Sequence, residues 1–156
     1  MNTLTVGDNA PLFELKNQND TLISLKTCLN DGPVLVYFYP KASTPGCTVQ
    51  ACGLRDSMQE LNSLKVTVLG ISPDPVAKLA RFAQKQALNF SLLSDEDHVI
   101  ADAFGVWGEK KFMGKVYDGI HRLSFLIGQD GNIHHLFNKF KTKEHHEVVL
   151  NYLKQD

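Results

Sequence analysis

The chain has few cysteines and no long apolar run. Its 156 residues contain 3 cysteines, an odd number that is too small for the disulfide framework of a small secreted protein. No apolar stretch is long enough to span a bilayer, and residues 1–11 lack the basic and apolar regions of a secretory signal. We therefore expect a cytoplasmic protein whose cysteines have a catalytic, redox or packing role.

The chain also lacks an excess of charge of either sign. The 16 basic and 17 acidic residues leave a net charge of −1, so nothing indicates a nucleic-acid or membrane partner. With 43% hydrophobic and 21% charged residues, the composition is ordinary for a soluble globular protein. The length suits a single domain over residues 1–156 with a sizeable core.

The order of the apolar runs predicts an α/β protein. Residues 34–39 and 66–71 are short runs typical of buried strands. A helix is expected between them from Cys47 onward, on the apolar positions Val49, Cys52, Met58, Leu61 and Leu64. Residues 76–87 repeat apolar side chains at i, i+3, i+4 and i+7, which predicts an amphipathic helix.

The remaining segments complete a predicted thioredoxin-like fold. They are an N-terminal β-hairpin (12–15 and 22–25), a short strand (90–93), a short helix (99–104), a late hairpin around an Asp-Gly turn (123–127 and 133–137) and a terminal helix (144–153). A strand–helix–strand order implies a parallel pair with a right-handed crossover. The result is a mixed central sheet with helices on both faces.

A cysteine follows the first predicted core strand at a loop-to-helix junction. Pro45 and Gly46 mark the loop directly before Cys47. The first turn of a helix has free backbone N–H groups and partial positive charge, which favour the thiolate, and the thiolate is the nucleophile. Cys47 is therefore a candidate reactive cysteine, although a free cysteine can also be a small core residue. Thr44 can offer its hydroxyl to the sulfur or to a bound oxygen, and Pro40 offers apolar surface without an N–H.

The motif around this cysteine resembles the active-site signature of peroxiredoxins. Pro40, Thr44 and Cys47 form Pro-x-x-x-Thr-x-x-Cys. The longer stretch 39–52 is similar to the bacterioferritin comigratory protein, or peroxiredoxin Q, branch, in which many members have a second cysteine at the position of Cys52. Further landmarks of the family are matched at 7–11, 93–95, 104–106 and 119–127. The resemblance covers nearly the whole chain and implies the same thioredoxin-like fold.

The resemblance implies an antioxidant thiol peroxidase of the atypical 2-Cys type. Cys47 attacks hydrogen peroxide or an organic hydroperoxide and becomes a sulfenic acid, while water or an alcohol leaves. Cys52 then condenses with it to an intramolecular disulfide, and thioredoxin is the usual reductant. No metal, haem or flavin is needed, because sulfur carries the redox change. A disulfide within one chain is compatible with a monomer.

The family's arginine position falls on Arg122. A guanidinium beside a thiolate stabilises it and can also hold a peroxide oxygen. From its sequence context alone, Arg122 at the start of the late hairpin is an ordinary surface charge. The resemblance implies a catalytic role instead, and Gln50, one turn into the helix, can orient the guanidinium.

The spacing of the two motif cysteines predicts that the helix must unwind. On a regular helix, Cys47 and Cys52 have their Cα atoms about 8.7 Å apart. A disulfide needs about 4.4–6.8 Å, so the segment 47–54 must open locally when the bond forms. Gly53, a weak helix former, is expected to ease that opening.

Two other functions stay open from the residues alone. A general thiol–disulfide oxidoreductase normally has Cys-x-x-Cys, whereas four residues separate Cys47 from Cys52. A redox-sensing interaction protein is also possible, but no segment resembles an output module. Cys28 is expected to be structural. The histidine pairs at 134–135 and 145–146 are expected to be solvated surface residues, because adjacent side chains diverge and make a poor metal site.

Overall fold

A computed structural model describes residues 1–155, and within them the chain forms nine strands and six helices. The strands are β1 (Glu14–Lys16), β2 (Leu22–Ser24), β3 (Val34–Phe38), β4 (Thr67–Ser72), β5 (Ser91–Ser94), β6 (Trp107–Phe112), β7 (Lys115–Ile120), β8 (Ser124–Ile127) and β9 (Ile133–Phe137). The helices are α1 (Leu25–Cys28), α2 (Pro45–Asp56), α3 (Met58–Ser63), α4 (Val76–Lys85), α5 (Val99–Phe104) and α6 (His145–Leu153).

The predicted mixed central sheet is confirmed. Its strand order is β5-β4-β3-β8-β9, in which β3 pairs in parallel with β4 and β4 with β5, while β8 is antiparallel to both β3 and β9. All five residues of the central strand β3 are buried. Because side chains alternate across a strand, Leu35 and Tyr37 enter one apolar core and Val36 and Phe38 enter the other.

Helices cover both faces of the sheet, as predicted. Buried side chains of α2, α3, α4 and α6 pack on the Tyr37 face, and those of α1 and α5 pack on the Phe38 face. The N-terminal hairpin forms as β1 and β2, although Leu25 begins α1 instead of ending the second strand. Among residues 1–155, none of the helices combines the length and hydrophobicity that crossing a bilayer requires.

The helix around Cys47 differs from its prediction in both extent and buried face. It begins at Pro45 and ends at Asp56, and a separate helix α3 follows, where one continuous helix was expected. The break lies at Ser57, where ψ is 0° and the N–H donates to the carbonyl of Leu54 at 3.0 Å, while the hydroxyl donates to the carbonyl of Gly53 at 2.9 Å. The two residues Val49 and Leu64 were expected to be buried, yet they are 45% and 37% exposed. The buried face of α2 is instead Cys47, Gln50, Ala51 and Leu54.

The hairpin formed by β6 and β7 was not predicted from the sequence. Strands β6 and β7 pair antiparallel and are joined by Met113 and Gly114, whose φ values of 51° and 79° fit a turn of the mirror-image hairpin type. Most of its side chains are exposed, so the strands lack the polar–apolar alternation that signals a half-buried strand. This hairpin places Lys110 beside the site described below.

Helices α2 and α6 approach closely at Gly53. A Cβ atom added to Gly53 would lie 2.4 Å from Nδ1 of His146, well inside normal contact. Glycine at this position therefore permits the packing of α6 against α2, in addition to weakening the helix. The contact lies one residue after Cys52.

We expect Gly53→Ala to lower the free energy of unfolding by about 1–2 kcal/mol, because overpacking outweighs better helix propensity. Alanine in an unobstructed helix would raise stability by up to about 1 kcal/mol relative to glycine. The matched background is His146→Ala, in which the same substitution should be neutral or stabilising. Urea unfolding of the four proteins measures both effects. A stabilising Gly53→Ala in the otherwise unchanged chain would show that the His146 contact does not restrict this site.

Candidate active site

Cys47 lies in the first turn of α2, at the junction that the sequence predicted. Thr44 is the N-cap, and the N–H of Thr48 is the first to find a helical acceptor, the carbonyl of Thr44 at 2.9 Å. The amides of Gly46 and Cys47 therefore have no acceptor in the part of the chain that the structure describes. The cysteine is only 2% exposed. Free amides and the positive end of the helix favour negative charge at this sulfur.

A guanidinium contacts the cysteine from across the fold. Arg122 Nη2 donates to Cys47 Sγ at 3.4 Å, and its Nη1 donates to Gln50 Oε1 at 2.6 Å. Gln50 is fully buried, and it lies close to one helical turn beyond Cys47 on α2. The amide therefore fixes the plane of the guanidinium, which in turn faces the sulfur. The structure thus brings together the three residues that were predicted to act together, and their catalytic roles stay a prediction.

Arg122 was expected to begin the first strand of the late hairpin. It lies instead in the link between β7 and β8, two residues before β8 begins. Two neighbours hold that link. Ser124 begins β8 and shares a 2.8 Å hydrogen bond with Nε2 of the fully buried His145. Lys110 donates to the carbonyl of Ile120 at 2.8 Å. Burial, and then the charge of the neighbouring Arg122, lower the pKa of Lys110.

The loop between β3 and α2 holds Pro40 and Thr44. Thr44 Oγ1 donates its proton to the carbonyl of Lys41 at 2.7 Å, and within residues 1–155 it forms no hydrogen bond with Cys47. The expected donation from Thr44 to the sulfur is therefore absent here, while the hydroxyl oxygen can still accept. Asp74, which the sequence analysis did not identify, anchors the same loop by accepting the amide of Ala42 at 2.7 Å.

Cys52 lies on α2 with Cys47, and all three cysteines are free. It is partly exposed and donates to Gln86 Oε1 at 3.5 Å. Cys28 lies apart at the end of α1 and packs on the Phe38 core. Burial, and then Asp31, raise the pKa of Cys28, which suits the structural role expected for it.

The expectation for the histidines is wrong at His145. His145 is 0% exposed, because the start of α6 packs over β3 and β8. Burial, and then His146 and Arg122, lower its pKa to about 3. Its neighbour His146 is partly buried against α2. His134 is exposed, as expected, and contacts Asp130.

The chain is similar to known proteins along nearly its full length. The model of the AhpC/TSA family matches residues 6–136. Peroxiredoxin Bcp of Escherichia coli K12 is 63% identical over 155 residues, covering 99% of each chain. The crystal structure of peroxidoxin BcpB from Mycobacterium tuberculosis superposes with a TM-score of 0.86 at 36% identity, covering 97% of each chain.

A further solved relative is the bacterioferritin comigratory protein of Xanthomonas campestris, studied for its alkyl peroxide reduction activity. It has a TM-score of 0.85 and 33% identity and covers 91% of this chain and 90% of its own. The fold and site thus define a thioredoxin-like enzyme with a reactive thiol. The chain belongs to the AhpC/TSA family, and within it to the bacterioferritin comigratory protein, or peroxiredoxin Q, branch of the peroxiredoxins.

Replacing Arg122 should slow oxidation of Cys47 while the sulfur stays in place. We expect Arg122→Ala to reduce the single-turnover rate by roughly 10²-fold or more, as for loss of one preorganised electrostatic donor. Gln50→Ala should cost less, because the guanidinium remains but loses its orientation. Stopped-flow oxidation with limiting peroxide measures both rates. Equal rates in Arg122→Ala and the unchanged protein would show that the guanidinium has no part in the reaction.

The buried His145 should make folding stability depend on pH. Between pH 6.5 and about 3, the unfolded chain binds a proton at this residue and the folded chain does not. Stability should therefore fall as the pH falls through this window, by up to about 1.4 kcal/mol per pH unit. His145→Gln keeps a polar group facing Ser124 and should flatten the slope. Unfolding by urea at several pH values tests this, and identical slopes in the two proteins would contradict it.

Proposed function

We propose that this chain reduces hydroperoxides with Cys47 as the peroxidatic cysteine and Cys52 as the resolving cysteine. One observation carries the proposal: the guanidinium of Arg122 is held by Gln50 and donates to Cys47 Sγ at 3.4 Å. This places a fixed positive charge beside a sulfur that already sits at the positive end of α2.

In the first step, the Cys47 thiolate attacks one oxygen of the hydroperoxide. A sulfur–oxygen bond forms, the oxygen–oxygen bond breaks, and the leaving oxygen takes a proton to become water or an alcohol. The free amides of Gly46 and Cys47, together with Arg122, are placed to stabilise the charge that moves onto oxygen. Thr44 donates its own proton to Lys41, so its oxygen is available to accept from the hydroperoxide O–H.

Burial of Cys47 limits the access of competing hydrogen-bond donors to its sulfur. Pro40 has no N–H, and Cys47 is almost fully buried, so few waters reach the sulfur. Desolvation strengthens the electrostatic contacts of the thiolate with its partners. The alkyl peroxide reduction of the Xanthomonas campestris relative supports a substrate range that includes organic hydroperoxides as well as hydrogen peroxide.

In the second step, Cys52 condenses with the sulfenic acid of Cys47. Both residues lie on one continuous helix, so the estimated Cα separation of about 8.7 Å on a regular helix applies to the reduced form. Closing the disulfide therefore requires α2 to unwind locally around the two residues. The delay before closure also leaves the sulfenic acid open to a second peroxide molecule.

A dithiol protein would complete the cycle by reducing the disulfide through exchange, and thioredoxin is the reductant we propose. The cycle needs no metal or organic cofactor, because the two sulfurs carry both electrons. It requires a compartment that keeps thiols reduced, which supports a cytoplasmic location. A disulfide between Cys47 and Cys52 within one chain needs no partner subunit and is compatible with the single-domain monomer that we propose.

Two variants test this assignment in a coupled assay with thioredoxin, thioredoxin reductase, NADPH and peroxide. Cys47→Ser should abolish peroxide reduction, since no other residue has the nucleophile's position. Cys52→Ser should still consume the first equivalent of peroxide, then lose most thioredoxin-linked turnover and over-oxidise at Cys47 with further peroxide. Cys28→Ser is the matched control and should keep full activity.

Either of two results would overturn the assignment. Appreciable peroxide turnover by Cys47→Ser would remove its peroxidatic role, and full thioredoxin-linked turnover by Cys52→Ser would remove its resolving role. Disulfide exchange without peroxide consumption by the unchanged protein would instead indicate a general thiol–disulfide oxidoreductase.

A further inference from the structure

The thiol of Cys52 is held by the C-terminal end of α4. Its Sγ donates to Gln86 Oε1 at 3.5 Å, which is within reach of a sulfur hydrogen bond. Gln86 is itself fixed as the C-cap of α4, where its N–H donates to the carbonyl of Phe82 at 3.0 Å. Cys52 is thus hydrogen-bonded to the end of α4, whereas the hydrogen bond to Cys47 comes from Arg122.

The backbone around Gln86 holds α2 at a further point. Arg55 Nη1 donates to the carbonyl of Gln86 at 2.6 Å, and Asn89 Nδ2 donates to the carbonyl of Arg55 at 3.2 Å. Together with the Cys52 contact, three hydrogen bonds join the segment 86–89 to residues 52–55 of α2. These residues form the half of the helix that carries Cys52 toward Cys47 during disulfide formation.

Disulfide formation and the Gln86 contact exclude each other. The Cα atoms of Cys47 and Cys52 must approach from about 8.7 Å to below about 6.8 Å. In that step the sulfur–sulfur bond forms, the sulfur–oxygen bond of the sulfenic acid breaks, and the departing hydroxide takes the Cys52 proton as water. Because the Cys52 sulfur must move toward Cys47, its hydrogen bond to Gln86 Oε1 must break before the disulfide can close.

We propose that Gln86 is a positioning residue that holds Cys52 on folded α2 and thereby slows closure of the disulfide. The inference rests on the proposed resolving role of Cys52 and adds a control on its rate. Slower closure of the disulfide prolongs the lifetime of the sulfenic acid at Cys47. The contact with Gln86 therefore raises the sensitivity of Cys47 to over-oxidation.

The test compares Gln86→Met with Gln84→Met. Methionine keeps the length of glutamine without its strong acceptor, and the backbone carbonyl that Arg55 contacts remains. Gln84 is an exposed glutamine two residues earlier, and its side chain has no hydrogen-bond partner within residues 1–155. Rapid quenching with alkylation and mass spectrometry follows oxidation of Cys47 and closure of the disulfide as separate steps.

We expect Gln86→Met to close the disulfide about two- to tenfold faster, the range for loss of one modest hydrogen bond. Oxidation of Cys47 should be unchanged, and the peroxide concentration that over-oxidises half of the protein should rise by the same factor. Gln84→Met should match the unchanged protein in all three measurements. Unchanged or slower closure in Gln86→Met would overturn the proposal.

Hydrogen exchange of the reduced protein gives a readout that involves no peroxide. Amides of residues 52–56 should exchange faster in Gln86→Met than in Gln84→Met, because the C-terminal half of α2 opens more readily. Equal exchange would also overturn the proposal. Absence of a Cys47–Cys52 disulfide in every variant would instead remove the proposed function of Cys52, and the positioning role with it.

Discussion

The contact between Arg122 and Cys47 is the constraint on which the rest of the structure depends. It joins residues 75 positions apart in the chain and brings a full positive charge to a nearly buried sulfur. A guanidinium in this position must itself be held, because a mobile cation would be solvated instead of facing the thiolate. Gln50, on the same helix as Cys47, holds the guanidinium of Arg122. The Ser124–His145 hydrogen bond supports β8, the strand that follows Arg122.

The position of the site follows from the topology of the sheet. Strands β3 and β4 run in parallel, so the loops that follow them emerge at the same edge. One loop leads to Cys47, and the other contains Asp74, whose buried carboxylate accepts from the amide of Ala42 and from the hydroxyl of Ser72. A buried carboxylate needs such partners to offset its desolvation. The pairing therefore stabilises the loop whose shape determines how a peroxide can meet the sulfur.

Helix α2 has two conflicting requirements. In the proposed reaction, it must be folded to present free amides and the helix dipole to Cys47, yet it must open for Cys52 to reach that residue. The two halves of α2 have different contacts. The N-terminal half is packed into the core through Cys47, Gln50 and Ala51. The C-terminal half is held by the fully buried Leu54, by hydrogen bonds to the end of α4 and by close packing against His146.

The sequence by itself determined the class of fold, because buried parallel strands and amphipathic helices have periodicities that are local properties of the chain. It also identified Cys47 at a helix start, since proline and glycine mark that boundary. Only the tertiary structure decided which face of α2 is buried, that His145 lies in the core and that Asp74, Lys110 and Gln86 adjoin the site. Each of these depends on contacts between distant segments, and the exposed hairpin β6–β7 has no apolar pattern to reveal it. The resemblance to the family's arginine position predicted an active-site role for Arg122. The distance from its guanidinium to the Cys47 sulfur, in contrast, depends on how β8 and α2 pack.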